Sequence, residues 1–318
     1  FENKYHLYVS YNSKEYFKSR KKNFNQNLLN ESINILLKIR NERKKPFTDT
    51  KILTSWNALA IKSLVDYYKV SKDMAYMNSA EKAINFIIDK MIFEDVLNAT
   101  YKDGKSHINA YLDDYAFLIN AILNFLSIKW DNKLFKQVII LSDSLIDKFS
   151  DEKNGGFFFT SKDHEDLIQK PKPTSDEAFP SGNSIAAKVL IKLGFLMNNT
   201  KYLDTANTVF SYASEQINDS PNAHSSLLDS YLLAKKPFVT IILKSNTSTN
   251  NINAWLDQLI EIRKSYVNYY HIAENNTGYS NIDDKIALNG VTAYICTNFT
   301  CEEPINDLEK FISRIHLL

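Results

Sequence analysis

The sequence predicts a mainly α protein: a partial α/α toroid of helical hairpins, followed by a small C-terminal α/β unit. Three observations carry this. Helical periodicity dominates from about residue 22 to 235, the joins between helices alternate in length, and β-branched and aromatic runs replace the periodicity after Pro237.

In chain order, the first helix is expected near 22–42. The second, near 54–70, can be capped by Thr54 or Ser55, whose hydroxyls accept from the free N–H groups of a first turn. A third near 73–92 carries the apolar stripe Tyr76, Ala80, Ala83, Ile84, Ile87 and Met91, and a fourth near 111–129 carries Leu112, Tyr115, Ile119, Ile122 and Leu126. The fifth, near 132–149, repeats the spacing through Leu134, Val138, Leu141, Leu145 and Phe149. Helices near 182–197, 199–217 and 221–235 follow, the middle one striped by Tyr202, Ala206, Val209, Phe210, Ala213 and Ile217.

The short joins, Val70-Ser71-Lys72, Trp130-Asp131 and Asn198-Asn199, make antiparallel hairpins. The long ones, 92–110 and 150–181, hold glycine, proline and charged residues. Hairpins whose long loops share one side build an α/α toroid, whereas a four-helix bundle has no need of long structured loops at every second join. About four hairpins are present where a closed toroid has six, so this part, residues 1–236, is expected to be incomplete. Residues 237–318 form the small α/β unit, with strands at 238–243 and 291–296 and an amphipathic stretch near 252–263 between them.

With 38 basic and 37 acidic residues, the formal charge of +1 provides no field to attract nucleic acid or an anionic membrane. No apolar run approaches the roughly 20 residues of a membrane span, and no signal-peptide pattern opens the chain. The chain is expected to be soluble and cytoplasmic. Its six histidines, His6 among them, lack metal spacing, and Cys296 and Cys301 are spaced too widely for a Cys-x-x-Cys site. The two thiols are expected to be reduced and not joined, since a bond requires a hairpin-like reversal over Thr297–Thr300. No metal and no cofactor are expected.

Three constellations carry candidate chemistry. Arg43 to Asn57 ends in a helix start, where Trp56 offers a flat apolar face to a sugar ring and Asn57 both donates and accepts hydrogen bonds. The competing structural reading pairs Asp49 with Lys51, buries Trp56 and makes Asn57 a capping helper. In Leu112-Asp113-Asp114-Tyr115, adjacent helical residues point about 100° apart, so one carboxylate can face a lumen while the other caps the helix. Finally, Lys170 to Ser184 concentrates three of the seven prolines before a helix, with Asp176, Ser181 and Asn183 as polar groups. In a chain with seven glycines, Gly155, Gly156 and Gly182 are expected where the backbone needs positive φ or a close approach. His107 and His224 precede apolar helical segments and are within reach of the toroid mouth.

Taken in order, Arg43 to Asn57, Leu112-Asp113-Asp114-Tyr115-Ala116, Gly155-Gly156-Phe157-Phe158, Lys170-Pro171-Lys172 with Pro180 to Ser184, and Thr292 to Cys296 with Asn298 to Pro304 resemble one family. It is the thioredoxin-domain-containing family that includes spermatogenesis-associated protein 20, whose helical part is similar to N-acylglucosamine 2-epimerases and other six-hairpin sugar enzymes. Members begin with a thioredoxin-like domain and the first hairpins, so this chain resembles the C-terminal part, and a thioredoxin-like part is the partner the resemblance implies. Thr50 stands where the family usually has a second acid after Asp49, and Phe159 where an acid often follows Gly-Gly-Phe-Phe. No histidine here matches the proton-transfer histidines of such epimerases.

The resemblance implies a carbohydrate-active-enzyme-like protein, a sugar epimerase or isomerase (or glycosidase-like enzyme) working by acid/base proton transfer on a sugar or other small molecule. Asp113 or Asp114 would be the acid/base. Trp56 would be the stacking platform, and Asp49, Lys51, Asn57, Tyr115, Asp176, Ser181 and Asn183 the substrate-binding lining. The alternative is a non-catalytic binding or scaffold module of a thioredoxin-linked protein, which Thr50 and Phe159 favour.

Overall fold

The structure, a computed structural model, describes residues 25–164, 168–245, 252–262, 264–273, 277–288 and 290–318. His6, residues 22–24 of the first expected helix and Arg263 lie outside them. Two units emerge, Phe1–Thr50 and Lys51–Leu318. In the first, helix α1 (Gln26–Asn41) starts where the Asn25 side chain accepts from the Leu28 N–H at 3.1 Å. Leu28, Ile33, Ile35, Leu36 and Leu37 on this helix are exposed, as is Asp49 after it.

The second unit starts with β1 (Ile52–Leu53) and the hairpin α2 (Thr54–Ser71) and α3 (Met74–Met91). Strands β2 (Ile92–Phe93), β3 (Val96–Lys102) and β4 (Lys105–Asn109) lead to a second hairpin, α4 (Leu112–Leu126) and α5 (Asn132–Phe149). A long loop then reaches α6 (Gly182–Met197) and α7 (Thr200–Asp219), and a 3-10 turn at Pro221–His224 leads to α8 (Ser225–Lys235). Two of the tight turns share one device. Lys72 (φ 58°) and Asn198 (φ 55°) end their helices in the left-handed region, and the next residue, Asp73 or Asn199, caps the following helix through its side chain. The chain thus reverses in two residues.

The 92–110 join is a sheet and not the expected loop. It folds as an antiparallel sheet in which β3 pairs β1, β2 and β4, and Asp103-Gly104 turns β3 into β4 with φ of 49° and 83°. Two consecutive positive φ values suit the right-handed twist of a hairpin, which is why Asp-Gly is a strong hairpin signal. The 150–181 join holds its shape through a partly buried ion pair, Lys172 to Asp151 at 2.6 Å, with Lys172 3.8 Å from the centre of the Tyr212 ring. Gly155 and Gly156 both adopt positive φ there, and a Cβ on Gly155 would come within 2.7 Å of the Thr208 carbonyl oxygen.

Burial separates inner from outer helices. In α4 every residue is buried except Asp113 and Asn124, and in α6 every residue except Lys188, Lys192, Phe195 and Met197. Helices α3, α5 and α7 bury one stripe only, through residues such as Met77, Ile84, Val138, Leu145 and Val209. α2 packs on α4, α4 on α6 and α6 on α8, each backed by its own outer helix where it has one. The result is an arc of an α/α toroid.

The tail forms one mixed sheet in the order β6-β5-β7-β8, where β5 is Val239–Ser245, β6 Val267–His271, β7 Val291–Thr297 and β8 Thr300–Cys301. α9 (Ile252–Ile260) connects the parallel pair β5 and β6, the short α10 (Ser280–Asp283) precedes β7, and α11 (Leu308–His316) follows β8. Side chains alternate across β5. Phe238 and Ile242 join the helical core, while Val239, Ile241 and Leu243 face a second core with Trp255, Leu259, Phe311 and Ile315.

One expectation is overturned here: Cys296 and Cys301 are bonded. They sit opposite each other in the β7–β8 register, so the hairpin makes the reversal that a bond requires. Asn298 in its turn accepts from the Phe238 N–H at 3.0 Å and donates to the Phe238 carbonyl at 2.7 Å, and Phe238 stacks on Phe195 of α6 at 4.9 Å.

Candidate functional site at the head of the inner helices

The N-termini of α2, α4, α6 and α8 meet at one end, here termed the head, because acidic and hydroxyl side chains tie them together. Asp114 Oδ1 accepts from the Ser55 N–H at the start of α2, and its Oδ2 from the Tyr111 N–H at the start of α4, both at 2.9 Å. Asp176 accepts from the Ser181 N–H before α6 at 3.1 Å and from the Ser226 N–H in α8 at 2.7 Å. Ser181 Oγ donates to the Thr174 carbonyl at 3.0 Å and accepts from the Ser184 N–H at 3.2 Å. Asn183 is fully buried: its amide accepts from Phe157 N–H at 2.8 Å and donates to the Phe157 and Pro173 carbonyls at 2.9 Å. Each satisfies backbone groups that helix starts and loops leave open.

Asp113 differs from all of them. Its Oδ1 is buried without a hydrogen-bond partner among the described residues. It lies against Gly182, where a Cβ would come within 2.1 Å of that oxygen, so the glycine is required for close approach. Burial first, and then the neighbouring Asp114 charge, raises the Asp113 pKa to about 7, against the opposing pull of the nearby Gly182 N–H, which makes no well-formed hydrogen bond to the buried oxygen. Burial raises Asp114 to about 6, and the N–H groups it binds oppose the rise.

Below Asp113, Phe117, Asn120 and Asn124 follow at four-, three- and four-residue steps on one face of α4. Phe117 and Asn120 line a cavity of about 470 Å³, with Lys62 of α2, Lys188 of α6, and Ser226 and Asp229 of α8 around it. That volume falls within the usual range for small-molecule sites, and the walls mix one aromatic face with donors and acceptors.

The other predicted site residues lie elsewhere or are engaged. Trp56 is 62% exposed and is neither in the core nor in this cavity's wall. Asn57 donates to the Leu53 carbonyl at 2.8 Å, holding its own turn, and Lys51 is exposed. Tyr115 is buried, with its hydroxyl accepting from the Leu97 N–H at 3.4 Å. Asp49 belongs to the first unit. His224 is buried, with its ring nitrogens on Thr174 Oγ1 at 3.2 Å and the Ser220 carbonyl at 2.8 Å, and His107 is exposed on β4. Among the described residues no group of His, Cys, Asp and Glu could hold a metal, and no helix is long and apolar enough to cross a membrane.

Sequence reasoning missed Lys62, Asn120, Lys188 and Asp229. A signal was available in α6, whose only charged residues are Lys188 and Lys192, four apart on an otherwise apolar helix. Charges placed so in a buried helix face either a partner or a cavity.

Comparison with known proteins finds relatives of the kind the resemblance implies. Over 294 residues the chain is 26% identical to an uncharacterized protein of Caenorhabditis elegans, a match covering 89% of this chain and 40% of that one. It is 23% identical over 300 residues to spermatogenesis-associated protein 20 of Homo sapiens, covering 88% of this chain and 38% of that protein. The chain spans about two-fifths of the length of these curated relatives. Among solved structures, an α-mannanase of Bacteroides thetaiotaomicron is similar over 76% of this chain and 68% of its own, at 12% identity and a TM-score of 0.48. No family model matches the chain.

Proposed function

We propose that residues 51–318 carry a sugar-binding groove in which Asp113 transfers a proton, in an epimerase- or isomerase-like reaction. One observation supports this above the rest: one turn before Phe117 of the cavity wall, and outside that wall itself, Asp113 alone among the tied acids has a buried oxygen without a partner among the described residues, on a carboxyl whose pKa is about 7. A carboxyl half-protonated at neutral pH can both give and take a proton. The neighbouring cavity suits a hydroxyl-rich ligand, because Lys62 and Lys188 donate, Asp229 accepts, and Asn120 and Ser226 do both, while Phe117 presents an apolar face.

In the same reading Asp114, Asp176, Ser181 and Asn183 are positioning residues, and residues 237–318 are a small α/β unit that shares part of the helical core. The chain then works in the cytoplasm beside a thioredoxin-like part of the kind the resemblance implies. The bonded Cys296–Cys301 pair weighs against that compartment, where thiols are held reduced.

The test is a thermal-stability screen of aldoses and amino sugars, since a ligand that binds only the native state raises apparent stability. A stabilising sugar incubated with the protein in D₂O should gain deuterium beside its carbonyl carbon, and Asp113→Asn should abolish the exchange. A panel with no stabilising sugar, or equal exchange in the variant, removes the proposal.

A further inference from the structure

A second cavity, of about 360 Å³, lies further along the inner helices, where Lys69, Asn124 and Lys192 meet Asn268 and Tyr269 of β6. Its wall holds five lysines, the two just named with Lys62, Lys188 and Lys264, against one carboxylate, Asp66. Lys62 pairs with Asp66 at 2.6 Å, and Lys188 with Asp229 at 2.7 Å. Lys69 donates to Asn124 Oδ1 at 2.7 Å and lies 5.4 Å from the Tyr269 ring centre, and the carboxylate that acts on it, Asp66, is already paired with Lys62. Lys192 makes no hydrogen bond or ion pair among the described residues. Asn268 is 8% exposed, and its Nδ2 is buried without an acceptor among the described residues.

The buried orphan here is a donor, and among the described residues Lys192 and Lys69 have no carboxylate hydrogen-bonded to them. A solvated lysine face would leave no buried amide orphaned, and a cation site would need free carboxylates, whereas the single one is already paired. We propose that this cavity binds a compact oxyanion, the phosphate or carboxylate group of a small molecule, between Lys69, Lys192 and Asn268. An oxyanion accepts from all three and neutralises charge that is otherwise expensive to bury. Burial, followed by the charges of Lys188, Lys69 and Lys62, already lowers Lys192 to about 7, and burial lowers Lys69 to about 8, as expected of ammonium groups short of counter-charge. The volume leaves room for more of the molecule than its anionic group.

The site shares Lys62, Asn120 and Lys188 with the wall of the first cavity, but its anion-binding groups lie away from the head. Lys192 follows Gly182, the neighbour of Asp113, by ten residues, or about 15 Å of helix. It therefore stands whether or not Asp113 acts on a sugar.

The full chain is titrated with sodium phosphate, sodium acetate and sodium chloride at equal ionic strength, following the thermal midpoint and the heat of binding. A saturable rise with phosphate or acetate beyond that with chloride is expected. Phosphate alone points to a phosphate ester, and both together to a carboxylate as well. Lys192→Met should weaken the apparent affinity about tenfold, the size of a lost charge-assisted contact, while Lys192→Arg keeps it and Asp113→Asn leaves it within about twofold. Asn268→Ala gives a second readout should Lys192→Met fold poorly. No effect beyond chloride, or a saturable effect that survives both Lys192→Met and Asn268→Ala, overturns the site. Loss in Asp113→Asn alone would move the anion to the head and overturn it as well.

Discussion

The head of the inner helices and the second, lysine-walled cavity, which forms the floor between them and β6, are built on opposite rules. At the head, polar side chains that the sequence brings together at helix starts are almost all consumed by the fold: Asp114, Asp176, Ser181 and Asn183 each satisfy backbone groups, and Asp113 alone retains an oxygen without a described partner. On the floor, Lys192 and the Asn268 amide have no described partner. Polar residues in ordered motifs therefore mark where this fold is fastened, and binding capacity is found where buried polar atoms are left over.

Three substitutions test that contrast, beginning with the largest expected effect. Asn183→Ala strips partners from three backbone groups in a site with no solvent, and should cost about 3 kcal/mol or more of unfolding free energy by denaturant titration. A loss under about 1 kcal/mol would mean that the head is less firmly fastened than its geometry implies. Asp114→Ala releases the Ser55 and Tyr111 N–H groups and should cost about 2 kcal/mol near neutral pH, comparable to a strong helix cap.

The smallest effect belongs to Asp113 and depends on pH. Its folded pKa, about 7, lies above the unfolded value of 3.8, so between those values the native state binds more protons than the unfolded chain. The contribution of Asp113 to stability is thus fully present at low pH, falls as pH rises from about 4 to 7, and is flat above. Asp113→Asn should remove that slope and raise stability at pH 8 by about 1 to 2 kcal/mol relative to wild type, allowing for partial solvent screening. Parallel stability–pH curves for the two proteins would show that Asp113 titrates as an ordinary surface acid.

Much of the fold was legible because it rests on local rules. The two-residue hairpins followed from their shortness, and the expectation that one of the two acids caps the helix, a role that falls to Asp114, followed from the angle between adjacent helical residues. What escaped notice depended on neighbours. The β3–β4 hairpin carried its Asp103-Gly104 signal, yet the flanking strands are short and polar enough to pass for a loop. β6 is only five residues and owes its place to pairing with β5, which no local pattern shows. Lys69, Lys192 and Asn268 come from three distant segments, and only the packing of β6 near the inner helices gives them a shared cavity. Trp56 reads as a site residue by type alone, and its exposure is decided by what packs beside it.

The Cys296–Cys301 bond closes a loop of only five residues' separation, so the chain-entropy account credits it with about 2 kcal/mol, little for a molecule with two cores. Its weight is positional. The bonded turn grips Phe238 through Asn298, and Phe238 lies against Phe195 on the helix that carries Lys192. The disulfide thus works as a stitch at the seam between helices and sheet, and reduction would introduce slack along that seam while both cores stayed closed.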